Sequence, residues 1–183
     1  PVVSSAASDV YKRQIVDLSH AGKQTCLDAI EVSNKPVAIS HANPNFFHKS
    51  KRNIDTDILQ KLVKKNGFIG LSLYPYHLKN LGDCTIEDFC EMIKELVNLI
   101  GEDNIGIGSD LCLNWPDDVV MWMRNGKWTK NIDYGESKDK NPKWPKLPSW
   151  YKQPSDLNNL FYLLCENNIC LLYTSDAADD TTG

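Results

Sequence analysis

The sequence predicts an α/β fold built on a parallel sheet, and three observations predict it. Short β-rich runs alternate with stretches whose apolar residues recur at helical spacing. The runs are apolar along most of their length, as strands covered on both faces are, instead of alternating as half-exposed antiparallel strands do. Gly, Pro and Asn gather between the two kinds of segment, where turns are needed.

Residues 15–19 (IVDLS) read as the first strand, followed by a Gly-containing turn and a helix over 25–33 with Leu27, Ile30 and Val32 as its apolar positions. Residues 36–40 (PVAIS) read as the second strand, and a Pro/Asn-rich loop leads to a helix over 55–65 with Ile58, Leu59, Leu62 and Val63 on one face. Residues 67–73 (GFIGLSL) form the third. Thr85 then caps a helix that runs to about Ile100, with Glu87 and Asp88 in its first turn, where the helix dipole favours acids. Residues 104–109 (NIGIGS) are the fourth strand, making about four consecutive βα units. A closed barrel and an open doubly wound sheet share this pattern.

Residues 111–154 differ. Trp115, Trp122, Trp128, Tyr134, Trp144, Trp150 and Tyr151 lie among Pro, Gly, Asn, Asp and Lys with little periodicity. A loop so long is usually functional or disordered, and so many aromatics argue against disorder. It reads as an aromatic-rich insertion: packed on its own domain, a substrate-side lid, or a subunit contact. A helical pattern returns over 156–167.

The two ends read as foreign. Residues 4–14 (SSAASDVYKRQ) back-translate into a DNA word whose reverse complement, shifted in frame, encodes CLLYTSDAADD, which is residues 170–180. A library adapter ligated to both ends of a DNA fragment does this, and the word resembles a transposon-based sequencing adapter. Residues 1–14 and 170–183 are therefore expected to be adapter translation, excluded from fold reasoning. The native segment is then 15–169, truncated on both sides.

Removing the ends takes away +1 and −3, so the net charge of −4 becomes −2. Lys and Arg are scattered among acids, which excludes the basic stripe of a nucleic-acid binder. No run approaches the roughly 20 apolar residues of a membrane span. Cys26, Cys84, Cys90, Cys112 and Cys165 show no C-x-x-C pair, so neither a disulfide framework nor a zinc knuckle is indicated.

The chemistry is in the placement. His20 follows IVDLS, His41 follows PVAIS and Asp110 follows NIGIGS. In a parallel α/β fold all strands end on one face, so residues just past three strands converge there. Neutral imidazole is a common zinc ligand, and a carboxylate completes the shell or takes a proton from metal-activated water.

The segments VDLSHAG, ISHANP, the Arg-Asn of KSKRNI, DCTIEDFC and IGIGSDL together resemble the membrane (renal) dipeptidase family of zinc metallopeptidases. The segment WMRNGKWTKNIDYGE is similar to its bacterial branch. The resemblance covers nearly all of 15–169 and implies part of a (β/α)8 TIM-type barrel. It implies that His20 and His41 bind the second of two zinc ions and that Asp110 is the proton acceptor. It further implies that Arg52 receives the C-terminal carboxylate of a dipeptide, which suits its planar fork. A substrate-contacting tyrosine falls near Tyr74 or Tyr76, whereas ungapped counting lands on His77. His48 matches no family role and reads as exposed.

The family's ligands for the first zinc and its metal-bridging glutamate have no counterpart here, being expected upstream of Ile15. This segment alone is thus expected to be inactive, with dipeptide hydrolysis belonging to the intact protein, for which a homodimer stays open. The rival readings are another binuclear-metal amidohydrolase, acting on a lactam, ester or cyclic amide, and a metal-free binding homologue.

Overall fold

The computed structural model describes residues 14–113, 116, 118, 119 and 144–169. The expectations for the two ends, apart from Gln14, and for most of 111–154 lie outside the described residues. Within them the elements run α1 (Lys23–Val32), β1 (Ala38–Ala42), α2 (Thr56–Lys64), β2 (Phe68–Leu71), α3 (Ile86–Ile100), β3 (Ile105–Ile107) and α4 (Leu157–Glu166). The strands form one parallel sheet in the order β1-β2-β3. The α/β class follows from the sequence as expected, with α2 and α3 as crossovers.

The helices form where apolar spacing and capping agree. The Thr85 hydroxyl accepts the Asp88 amide, opening α3, and Phe89, Ile93 and Leu96 bury one face. These meet Ile58, Leu59 and Leu62 of α2, Ile39, Ile69 and Leu71 of the sheet, and Leu160 and Leu164 of α4 in one core. From the segment before α4, Trp150 donates its indole N–H to the Cys84 carbonyl at 2.8 Å and packs on Phe89. Trp150 and the neighbouring Tyr151 are buried. No described helix is long and apolar enough to cross a membrane.

Two expectations about strands need correction. Residues 15–19 make one isolated parallel bridge, Asp17 to Ala38, and no full strand. The ladder starts with Ala38 N–H to Val16 O at 2.9 Å and Leu18 N–H to Ala38 O at 2.8 Å. Its next rung would join Ser40 N–H to Leu18 O, but the Asp17 carboxylate takes the Ser40 N–H at 3.0 Å. The freed Leu18 carbonyl accepts from Ala21, and the chain turns away.

The second strand starts and ends later than expected, so His41 lies within β1. Its register against β2 is irregular: Ile39 pairs with Ile69 and Ala42 with Leu71, three residues against two. That extra residue is a bulge, a device that re-aims side chains. The displaced Ser40 carbonyl crowds Gly70 and Gly108, where any Cβ would collide with its oxygen.

Candidate metal centre

The bulge and the bridge together build the site. His20 leaves the bridged segment, His41 leaves the bulge, and their Nε2 atoms face each other at 3.0 Å with the rings edge to face. Arg52 arrives on the loop after β1, which closes on itself through Ile54 N–H to Asn43 O and Asn45 N–H to Ile54 O, both 2.8 Å. Its guanidinium donates to the Ser19 carbonyl at 2.9 Å and to His20 Nε2 at 3.0 Å.

Proton bookkeeping fixes what the rings offer. Arginine only donates, so His20 Nε2 accepts from it and carries no proton. His41 Nδ1 meets Ser40 Oγ at 2.7 Å, and Ser40 donates its hydroxyl to Asp17 Oδ2 at 2.6 Å. With that hydroxyl proton on Asp17, a neutral His41 can meet Ser40 Oγ by donating from Nδ1. In that tautomer two lone pairs would face each other at 3.0 Å, an arrangement that a cation between them would relieve.

A zinc ion fits that demand: Zn–N bonds of about 2.05 Å at a tetrahedral angle put the nitrogens about 3.3 Å apart, a few tenths of an ångström wider than here. The pair is a partial site. Among the described residues no group of three or more His, Cys, Asp or Glu side chains is arranged to hold a metal ion.

The electrostatics match. Burial pushes the His20 imidazole below its ordinary value, and the Arg52 charge and His41 push the same way. Burial raises the Asp17 carboxyl, but four hydrogen bonds from Ser19 and Ser40 outweigh it and hold the group well below the usual carboxylate range. Asp110 is raised by burial, against the pull of His41, Arg52 and His20. It follows β3 in a left-handed conformation, φ 52°, which Asp tolerates better than most residues. Leu73 N–H to Ser109 O and Gly108 N–H to Leu71 O keep its segment beside β2.

Not every expected residue joins this group. His77 is 2 % exposed, its Nδ1 lies 2.8 Å from Ser72 Oγ, and its ring meets Tyr74. The ring is enclosed where Asn43 and Asn53 draw its backbone inward. Tyr74 and Tyr76 pack together and stay half-buried. His48 is half-buried rather than exposed, since its carbonyl accepts from Asn53 at 2.6 Å. Asp17, Ser19 and Ser40 were not singled out from sequence. The signal available was a Ser directly before each histidine and an acid in VDLSH.

The family model described as membrane dipeptidase, peptidase family M19, matches residues 13–117. Dipeptidase tcpJ of Claviceps purpurea is 29 % identical over 132 residues, covering 65 % of this chain and 31 % of its own length. Dipeptidase ataJ of Aspergillus terreus is 37 % identical over 100 residues, covering 53 % and 24 %. A solved amidohydrolase from Pseudomonas aeruginosa superposes with a TM-score of 0.72 at 30 % identity, over 84 % of this chain and 45 % of that one. The chain thus spans about a quarter to a third of the length of these curated relatives.

Proposed function

The chain belongs to the membrane dipeptidase family, peptidase family M19, and from that premise we propose that the intact protein is a zinc-dependent hydrolase of dipeptides. The observation that carries the reading is the approach of the His20 and His41 Nε2 atoms to 3.0 Å. When bound there, zinc supplies Lewis acidity and makes water nucleophilic near neutral pH.

The chain's own residues do the rest. His20 and His41 hold one side of the metal position. Asp110, whose carboxyl burial raises above its ordinary value, takes the proton from the attacking water and returns it to the leaving amine. Arg52 exchanges its donations to Ser19 and His20 for a bidentate grip on the substrate's C-terminal carboxylate. Tyr74 or Tyr76 reaches the substrate from the loop after β2.

The sheet is read as an arc of the (β/α)8 barrel that the family resemblance implies, an arrangement its parallel order β1-β2-β3 fits. The remaining metal ligands belong to the rest of the protein. This chain by itself is therefore expected to bind zinc weakly and to turn over no dipeptide.

A second reading has one observation in its favour, the likeness to a protein solved as an amidohydrolase: cleavage of a lactam, ester or cyclic amide on the same barrel. Assaying the full-length enzyme on dipeptides and on their C-terminal amides separates the two. The carboxylate clamp predicts that Arg52→Ala lowers kcat/KM for dipeptides by about 10- to 100-fold and leaves the amides unchanged. Equal rates on both substrates in the wild type would favour the second reading.

A further inference from the structure

We propose that Asp17 and Ser40 are positioning residues that set the tautomer of His41, so that a lone pair on Nε2, and never an Nε2–H, faces the metal position. The inference rests on reading His41 as a metal ligand, and it identifies the part of the chain that makes the ring a competent one.

Asp17 Oδ1 accepts the Ser19 N–H at 3.1 Å, the Ser19 hydroxyl at 2.6 Å and the Ser40 N–H at 3.0 Å. Asp17 Oδ2 accepts the Ser40 hydroxyl at 2.6 Å. A carboxylate ringed by donors only accepts, so the single hydroxyl proton of Ser40 is committed to it. What Ser40 Oγ turns toward His41 Nδ1, 2.7 Å away, is a lone pair.

Ser19 cannot change this. Its own hydroxyl proton is also on Asp17, so its 3.1 Å approach to Ser40 Oγ contains no proton. It accepts the His41 backbone N–H instead, at 3.1 Å. Nδ1 of His41 must then carry the ring proton, which bares Nε2. An imidazole left to water prefers the opposite tautomer, so the chain overrides an intrinsic preference.

The bulge is part of the device. In a regular strand, successive side chains point to opposite faces, and Ser40 would not meet the ring of its own neighbour. The three-against-two register at Ile39–Ala42 lets Ser40 Oγ and His41 Nδ1 share one side. Outer partners of this kind fix ring orientation in metal sites generally.

The test uses the full-length protein and the isosteric Asp17→Asn. Asparagine keeps an oxygen for the Oδ1 contacts and places an amide at Oδ2. That amide donates to Ser40 Oγ, the Ser40 proton turns to His41 Nδ1, and the ring proton moves to Nε2. Long-range 1H–15N correlation spectra of the metal-free protein, with His41 assigned by its loss in His41→Ala, should report Nδ1–H in the wild type and Nε2–H in Asp17→Asn.

Titration with zinc alone, against a competing chelator, should show affinity falling about 10- to 100-fold. Ser40→Ala should lose the Nδ1–H preference and Ser40→Thr should keep it. An Nε2–H wild type, or an unchanged tautomer in both Asp17→Asn and Ser40→Ala, would overturn the proposal, as would an inverted tautomer with unaltered zinc affinity. Failure of the peptidase reading shows separately, as a wild type that takes up no zinc; the spectra then still decide whether Asp17 and Ser40 set the ring.

Discussion

Two polar clusters lie at the ends of the same strands and finish differently. Behind the rim, Asn43, Asn53, Ser72 and His77 are all buried. Asn43 Nδ2 donates to the Ser72 and His77 carbonyls at 2.9 and 3.0 Å while its Oδ1 accepts the Ser72 amide at 3.1 Å. Asn53 Oδ1 accepts the Asn43 amide at 3.1 Å, and its Nδ2 reaches the His77 carbonyl at 3.1 Å. This network closes on itself. At the rim, Asp17, Ser19 and Ser40 are as densely bonded, yet that network ends outward, on two imidazole rings and a guanidinium. A closed polar network can only stabilise; one that ends on directed lone pairs can also bind.

That contrast breaks most visibly at the histidines. His20→Ala or His41→Ala in the full-length enzyme should bring dipeptide hydrolysis to background and lower zinc content, while the unfolding free energy of the metal-free protein changes by no more than about 0.5 kcal/mol. Unfolding of either variant would put the rim in the same class as the interior. Asp110→Asn comes next, with kcat expected to fall about 10²- to 10⁴-fold and zinc content unchanged, because a proton acceptor is lost and a ligand is not. Loss of zinc along with activity would make Asp110 a ligand.

The interior cluster should respond the other way. Asn43→Ala leaves the Ser72 amide and carbonyl without the partners that Asn43 supplies, at a cost of about 2–5 kcal/mol in a urea titration. Activity per folded molecule should stay near wild type. A selective loss of activity without destabilisation would show that this cluster reaches the substrate.

The same contrast explains what the sequence could disclose. Alternation of apolar runs and helical spacing is local, so the helices and the parallel sheet were legible, as was the Thr85 cap of α3. The offset that placed His20 and His41 near strand ends was legible for the same reason. The bulge was not, since a one-residue slip between Ile39 and Ala42 is set by β2, some 30 residues away. Nor was the reduction of 15–19 to a bridge, because a side-chain carboxylate outcompeted a backbone carbonyl for one amide. The burial of His77 was illegible for a related reason: it is set by Asn43 and Asn53, 34 and 24 residues earlier. Position along the chain located it beside the two tyrosines but could not show which way the loop folds.

The smallest expected effect separates the clusters by pH. Asp17 has a carboxyl held well below its ordinary value of 3.8, the bonds from Ser19 and Ser40 outweighing burial. A group lowered on folding contributes stability fully above its unfolded value, and the contribution fades as pH falls from there toward the folded one. The difference in unfolding free energy between wild type and Asp17→Asn should therefore be constant from neutrality down to about pH 5 and narrow below 3.8. The interior cluster has no carboxylate, so the gap between wild type and Asn43→Ala should not narrow in that window. Because Asp17 is exposed, solvent keeps the effect modest, and the slope of the difference against pH is what should be read. A gap that stays flat through pH 3 would mean that the Asp17 carboxyl is not lowered on folding, and the distinction between the two clusters would then rest on where their networks end.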